Sequence, residues 1–146
     1  MSRPDNQRRI YLVDDEHLIV STLAQILSLR GFDATGFTEP LLALEAARSE
    51  APDLLISDIV MPQLSGIDLA IQVQGDCPGC RVILFSGQAN LGDLLEVPGD
   101  KAQGFELLAK PIHPDVLLRS IEKIFGLDAM PERKELPTTA DAQALG

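Results

Sequence analysis

The sequence contains no tryptophan, a single tyrosine and only two cysteines among its 146 residues. Aromatic residues make up 4% of the chain although 45% of it is hydrophobic, so its core must be mainly aliphatic. The length is enough for one domain with a sizeable core. In a reducing compartment we expect the two cysteines, Cys77 and Cys80, to remain thiols.

Positive charge is also scarce, because 12 basic residues stand against 22 acidic ones and give a formal charge of −10. The absence of a basic stripe argues against nucleic acid or an anionic membrane as the main partner. No apolar run approaches the roughly 20 residues that a membrane span needs. The N-terminal segment MSRPDNQRR is polar and is not followed by a hydrophobic segment, so it does not resemble a secretory signal. We therefore expect a cytoplasmic protein.

Short apolar runs alternate with longer amphipathic segments along the chain. The runs predict strands at residues 10–13, 33–37, 54–57, 81–86 and 105–109. Helical spacing of apolar residues follows the first strand and predicts a first helix. A second helix is predicted at 38–50 with Thr38 as its cap, and Ser65 is predicted to cap a third. A last helix is predicted to begin at Pro114 and to end at Gly126. Residues 90–103 predict only a short or frayed helix. Apolar strands separated by helices predict an α/β fold with a parallel sheet covered on both faces.

These elements predict one domain at residues 8–126, preceded by an N-terminal extension at 1–7. Residues 127–146 contain two prolines, small polar residues and no apolar period, which predicts a flexible tail.

Polar side chains stand at the ends of four predicted strands. They are Asp14 and Asp15 after the first strand, Asp58 after the third, Ser86 on the fourth and Lys110 after the fifth. Side chains at the carboxyl ends of parallel strands share one crevice, so we expect them to meet. Three carboxylates would repel one another there unless a hard cation such as Mg²⁺ lay among them. With Lys110 as a second positive charge, the crevice is suited to the oxygens of a phosphoryl group and to Asp58 as a carboxylate nucleophile.

Four motifs resemble, in the right order, the receiver domain of bacterial two-component response regulators, of which the chemotaxis regulator is one. They are DDE at 14–16, SDIVMPQLSGIDL at 57–69, FSG at 85–87 and KP at 110–111, and the resemblance covers roughly residues 8–126. It implies a flavodoxin-like, five-stranded parallel sheet of order 2-1-3-4-5 with helices on both faces. It also implies a signalling domain that is not an enzyme, beyond catalysing its own phosphorylation and dephosphorylation.

The resemblance implies a role for each site residue. Asp58 resembles the phosphoacceptor. The Mg²⁺ ligands are, by the same resemblance, Asp14, Asp15, Asp58 and the backbone carbonyl of Val60. Ser86 resembles the switch hydroxyl, and Lys110 resembles the phosphate-binding lysine. The Lys110–Pro111 bond is predicted to be cis, since Lys110 must leave strand five and still point into the crevice. The implied partners are a sensor histidine kinase or phosphotransfer protein and an unidentified downstream protein. We expect a stand-alone receiver, and the resemblance leaves open whether it forms a homodimer.

One position departs from the family pattern. Receivers commonly carry an aromatic residue three positions before the lysine, where it swings inward on activation. Leu107 occupies that position here, and Phe105 is the nearest aromatic. We therefore expect signal output to use another surface or a smaller rearrangement.

Three other functions are compatible with parts of this pattern. An aspartyl-phosphate hydrolase typically needs a second carboxylate two residues after its nucleophile, where Val60 stands. Flavin or nucleotide binding needs a phosphate loop after strand one, where acidic residues stand instead. A receiver-like interaction domain that takes no phosphate is the third alternative.

The CPGC motif at residues 77–80 suggests redox or metal chemistry. Redox motifs of this type gain reactivity at a helix N-terminus after a strand. This one lies between a helix and the following strand, remote from the predicted crevice. We therefore interpret it as a tight turn at the opposite edge of the sheet.

Overall fold

The computed structural model describes residues 7–87 and 105–126. Within these ranges five strands and four helices follow one another in the predicted alternation. They are β1 (Arg9–Val13), α1 (His17–Leu29), β2 (Asp33–Phe37), α2 (Pro40–Ser49), β3 (Leu54–Asp58), α3 (Gly66–Asp76), β4 (Arg81–Ser86), β5 (Glu106–Ala109) and α4 (Pro114–Phe125). The segment at 90–103 and the tail at 127–146 lie outside the described residues.

The strands form one parallel sheet of order β2-β1-β3-β4-β5, which confirms the predicted fold. Strand β3 lies at its centre and is one residue longer than the apolar run suggests. The extra residue is Asp58, which pairs with Phe85 of β4 and so remains part of the sheet. Every residue of β3 is buried, as expected for a central parallel strand with helices on both faces.

Two apolar layers hold the helices against the sheet. On one face, α2 and α3 pack on alternate strand residues such as Val13, Leu55 and Leu84. On the other, α1 and α4 pack on the intervening residues, among them Leu12 and Ile56. Successive side chains of a strand point to opposite faces, so the unbroken apolar runs serve both layers at once.

The sequence predicts most helix ends correctly. Ser65 caps α3, because its side-chain oxygen accepts a hydrogen bond of 3.1 Å from the backbone N–H of Asp68. Gly31 and Gly126 follow α1 and α4 with positive φ angles of 93° and 87°, which glycine adopts without steric cost. The predicted cap Thr38 is wrong. Helix α2 begins at Pro40, so the N-cap position falls to Glu39, which makes no side-chain capping hydrogen bond.

Cys77 and Cys80 form the predicted tight turn, since the backbone N–H of Cys80 donates to the carbonyl of Cys77 over 3.0 Å. The turn directly precedes β4 and lies at the amino ends of the strands. Both thiols are buried and free of disulfide bonds. Among the described residues, no helix is long and apolar enough to cross a membrane.

Candidate functional site

The carboxylates predicted to share a crevice do meet at the carboxyl edge of the sheet. Asp14 and Asp15 follow β1, and Asp58 ends the neighbouring strand β3. One carboxylate oxygen from each lies within 4.8 Å of the others. Asp14 is 1% exposed and Asp58 6%, whereas Asp15 is exposed to solvent. Two of the three carboxylates are therefore removed from water.

Backbone hydrogen bonds fix Asp14 at the start of the β1–α1 loop. Its N–H donates to the carbonyl of Phe37 over 3.1 Å, and its Oδ1 accepts a hydrogen bond of 2.9 Å from the N–H of Glu16. Its Oδ2 accepts no hydrogen bond of good geometry although it is buried. That oxygen is therefore available to a positive charge.

Lys110 supplies a positive charge from the other side of the crevice. Its Nζ lies 3.1 Å from Oδ2 of Asp14 and 3.2 Å from Oδ2 of Asp58. It also lies 3.7 Å from Oε1 of Glu16, whose side chain is 62% exposed. One ammonium thus links three carboxylates, two of them buried.

Burial and charge act on these groups in opposite directions. Burial raises the pKa of Asp14 and of Asp58 above the usual range, and the nearby ammonium of Lys110 offsets this only in part. Burial by itself lowers the pKa of Lys110, but the carboxylates of Asp14 and Asp58 outweigh it and leave this pKa raised. Keeping both buried carboxylates charged therefore costs free energy, and additional positive charge at the site would lower that cost.

The last two residues of strand β4 connect the segment that carries Asp58 to the segment that carries Lys110. The carbonyl of Phe85 accepts a hydrogen bond of 2.9 Å from the N–H of Ile59, next to Asp58. The carbonyl of Ser86 accepts one of 2.9 Å from the N–H of Lys110. Ser86 is 1% exposed, and the Lys110–Pro111 peptide bond is cis, in agreement with the prediction. The end of β4 thus fixes the spacing between the carboxylate and the lysine.

Leu107, the position that departs from the family pattern, lies on β5 opposite Leu84. It is half-buried and packs with Phe105 against the apolar layer formed by α2 and α3. Val60 lies just beyond Asp58, and its side chain is 52% exposed.

The donor set suits a hard divalent cation. Oxygen ligands from carboxylates are those that Mg²⁺ prefers, and one or two carboxylates usually suffice to hold it. The buried Oδ2 of Asp14 faces the ammonium of Lys110 at 3.1 Å without a hydrogen bond of good geometry, which fits an oxygen that a cation could ligate. Asp14, Asp15 and Asp58 therefore fit a magnesium site.

A family model described as the response regulator receiver domain matches residues 10–122. The chain belongs to this family. The receiver is therefore a signalling domain of two-component systems, and its acidic cluster is compatible with Mg²⁺ binding and phosphorylation.

Individual relatives differ in length. The receiver is 31% identical over 117 residues to the response regulator receiver protein CpdR of Brucella abortus, covering 80% of this chain and 96% of CpdR. It is 30% identical over 127 residues to the phosphoglycerate transport system transcriptional regulatory protein PgtA of Salmonella typhimurium, covering 87% of this chain but only 29% of PgtA. The chain thus spans less than a third of PgtA.

Solved structures show the same fold. The receiver superimposes on a CheY-like response regulator receiver domain protein from Methanospirillum hungatei JF-1 with a TM-score of 0.72 and 25% identity. That match covers 88% of this chain and 98% of the other.

Three residues at the site were not assigned a role by sequence reasoning. Glu16 contacts Lys110, Phe85 lies beneath the same ammonium, and Gly66 stands against the backbone of Asp58. The N–H of Gly66 donates to the carbonyl of Ile59 over 2.8 Å, and a Cβ at position 66 would collide with the carbonyl oxygen of Asp58. The glycine in the SGIDL motif was the available signal, since glycine often marks a close backbone approach.

Proposed function

We propose that this receiver accepts a phosphoryl group on Asp58 in a Mg²⁺-dependent reaction. The observation that carries the proposal is the position of Lys110, whose Nζ lies 3.2 Å from the carboxylate of Asp58 and 3.1 Å from that of Asp14. An anionic nucleophile can approach an anionic phosphoryl group only where positive charge neutralises both. The crevice offers an ammonium on one side and a fitting set of cation ligands on the other.

In the proposed reaction a carboxylate oxygen of Asp58 attacks the phosphorus of the donor. A new P–O bond gives an acyl phosphate, while the bond from phosphorus to the donor breaks and its electron pair leaves with the donor. For a phosphohistidine donor this is a P–N bond, and the released imidazole takes up a proton. Mg²⁺, held by Asp14, Asp15 and Asp58 with the backbone carbonyl of Val60, would supply charge neutralisation to the phosphoryl oxygens.

The remaining site residues have roles after transfer. Lys110 would pair with a phosphoryl oxygen, and the buried hydroxyl of Ser86 would form a hydrogen bond that the unphosphorylated protein cannot make. Such a bond is a differential interaction between two states, so it can shift a conformational equilibrium by its own free energy. A hydrogen bond to a charged group contributes about 1.5–3 kcal/mol, which is roughly a ten- to hundredfold change in population.

The partner that supplies the phosphoryl group is, in this proposal, a histidine kinase or a phosphotransfer protein. The signal passes, in this proposal, from the receiver to a downstream protein. The relatives include a short receiver protein, CpdR, matched over 96% of its length, and a longer regulator, PgtA, matched over only 29%. The intact mass of the protein isolated from its native cells shows which of these lengths it has.

Phosphorylation is tested by incubating the protein with acetyl phosphate and Mg²⁺ and measuring intact mass. We expect one added phosphoryl group, removed by hydroxylamine as for an acyl phosphate, and no addition when EDTA is present. Asp58→Asn should remove the labelling, while Asp68→Asn, an exposed acid on α3, should leave it unchanged. Full labelling of Asp58→Asn would contradict the assignment.

An absence of labelling in the wild-type protein would instead favour the alternative of an interaction domain that takes no phosphate. The hydrolase alternative makes a different prediction, because it requires repeated turnover of the donor. A steady release of phosphate far in excess of the protein would support it, and a single stoichiometric transfer would exclude it.

A further inference from the structure

The ammonium of Lys110 has a fourth neighbour in addition to the three carboxylates. Its Nζ lies over the aromatic ring of Phe85, 5.2 Å from the ring centroid. A cation within about 6 Å of a ring centroid is attracted by the negative face of the ring, and the attraction grows when the pair is removed from water. The side chain of Lys110 is 20% exposed and Phe85 is 1% exposed, so the pair is largely shielded.

The ring cannot follow the lysine if the lysine moves. Phe85 is packed within the apolar layer formed by α1 and α4, together with Ile56 and Leu117. Its backbone is fixed as well, since it pairs with Asp58 on one side and with Leu108 on the other. Phe85 is therefore a fixed platform beside the crevice.

The attraction of the three carboxylates for the ammonium of Lys110 is weakened by a bound cation or by exposure to solvent, whereas the attraction of the ring is not. Asp14 and Asp58 belong to the acidic cluster that fits a cation, and a bound divalent ion would neutralise much of their attraction for the ammonium. Glu16 is mostly exposed at 3.7 Å, and exposed pairs of this kind contribute little. The ring of Phe85 binds no metal, so its attraction for the ammonium remains when the cluster is occupied.

We propose that Phe85 is a positioning residue for Lys110, and that its ring face holds the ammonium at the crevice when a cation and a phosphoryl group engage the carboxylates. The inference rests on the proposed function. It adds a residue that acts through the lysine without touching the phosphoryl group. The experiment below separates its failure from that of the phosphoacceptor assignment.

The first measurement needs no substitution and no phosphoryl donor. Protons lying over an aromatic ring are shifted upfield in the NMR spectrum, so we expect the ε-methylene protons of Lys110 to be upfield of the other lysines. We expect this shift to persist when Mg²⁺ is added to saturation. Its disappearance on addition of Mg²⁺ would overturn the proposal, because the ring would then hold the lysine only while the carboxylates do.

The second measurement is a double-mutant cycle read out by the affinity for beryllofluoride, a phosphoryl mimic, in Mg²⁺. Phe85→Leu should weaken this affinity roughly threefold to thirtyfold, the range expected for a cation–π contact that is lost. Phe85→Tyr keeps the ring and should bind nearly as well as the wild type. In a Lys110→Met background, Phe85→Leu should have no effect on the affinity.

Ile83→Val is the matched control, because Ile83 lies on the same strand and in the same apolar layer as Phe85. It should lower stability and leave beryllofluoride affinity unchanged. An equal loss of affinity from Phe85→Leu in both backgrounds would show that the ring acts through the fold and not through the lysine. If Phe85→Leu does not fold, the persistence of the NMR shift and the Phe85→Tyr affinity decide the proposal.

Failure of the proposed function gives a separate result. A wild-type protein that binds neither beryllofluoride nor acetyl phosphate would contradict the phosphoacceptor assignment, whereas the Lys110 shift with and without Mg²⁺ would still report whether the ring holds the ammonium.

Discussion

The Nζ of Lys110 lies 3.2 Å from Oδ2 of Asp58, so the lysine that follows β5 is paired with the carboxylate that ends β3. This pair does not fully compensate the cost of placing Asp58 in the crevice. Burial still raises the pKa of Asp58 above its usual range, despite the opposing effect of Lys110. A charged Asp58 therefore makes the folded protein less stable than a neutral residue at this position would, unless a cation binds at the site.

The first prediction concerns Asp58→Asn in the absence of divalent cations. A group whose pKa is raised on folding favours the folded state at low pH. For Asp58 this contribution is fully present below the unfolded value of 3.8 and is lost as the pH rises through the folded pKa. We therefore expect Asp58→Asn to melt at a higher temperature than the wild type at pH 7, with the difference shrinking as the pH approaches 4.

Thermal melts of both proteins across this pH range check the prediction. Asp115→Asn, at an exposed acid in the first turn of α4, is the control and should show no such gain. Mg²⁺ should stabilise the wild type more than Asp58→Asn, because binding to the folded state adds stability by mass action. An Asp58→Asn protein less stable than the wild type at pH 7 would show that the pair with Lys110 outweighs the burial cost.

The second prediction concerns Lys110→Met. The ammonium and a divalent cation compete for the same carboxylates of Asp14 and Asp58, so its removal should raise Mg²⁺ affinity severalfold. A change of about 1 kcal/mol corresponds to roughly fivefold. Calorimetric titration with Mg²⁺ measures this directly. Lys123→Met, at an exposed lysine 3.8 Å from Glu106, should leave the affinity unchanged, and loss of Mg²⁺ binding in Lys110→Met would contradict the competition.

The third prediction concerns the two cysteines. Both thiols are buried at the amino ends of the strands, and burial raises the pKa of Cys80 to about 12. The thiolate is the reactive form, so iodoacetamide at pH 8 should alkylate the native protein far more slowly than the unfolded protein. Replacing both cysteines with serine should leave Mg²⁺ binding and phosphorylation essentially unchanged. Fast alkylation, or stoichiometric zinc in the purified protein, would favour the redox or metal interpretation instead.

The fold and the meeting of the carboxylates could be predicted because each follows from local patterns. Apolar runs define the strands, and the carboxyl ends of parallel strands share an edge wherever such a sheet forms. Helix starts are less predictable, because a cap depends on which backbone torsions the chain adopts. Pro40 at the first position of α2 leaves Glu39 as the N-cap, one residue beyond Thr38. The contact of Lys110 with Phe85 could not be predicted at all, since it depends on how β4 and the loop after β5 pack together.

The two caps provide the fourth prediction. Ser65→Ala removes the hydrogen bond to the N–H of Asp68 and should cost about 1 kcal/mol of stability. Thr38→Ala should cost less than half as much, because Thr38 is not the N-cap of α2. Denaturant unfolding of both variants gives the comparison. Equal losses would mean that Thr38 stabilises the start of α2 in some other way.

The last prediction concerns the two glycines of α3, Gly66 and Gly75. Gly66 begins the helix against the carbonyl oxygen of Asp58, where an added Cβ would collide with backbone that cannot move aside cheaply. Gly66→Ala should therefore lower stability by about 1–3 kcal/mol and displace Asp58, which should weaken Mg²⁺ binding as well.

Gly75 is the matched control, because nothing lies within 4 Å of a Cβ added there. Alanine loses less backbone freedom than glycine when it enters a helix, so Gly75→Ala should raise stability by about 0.5–1 kcal/mol and leave the metal site unchanged. The same substitution in one helix is thus expected to act in opposite directions. Denaturant unfolding and Mg²⁺ titration of both variants measure this, and a Gly66→Ala protein with wild-type stability and Mg²⁺ affinity would show that the Asp58 backbone can yield without consequence for the site.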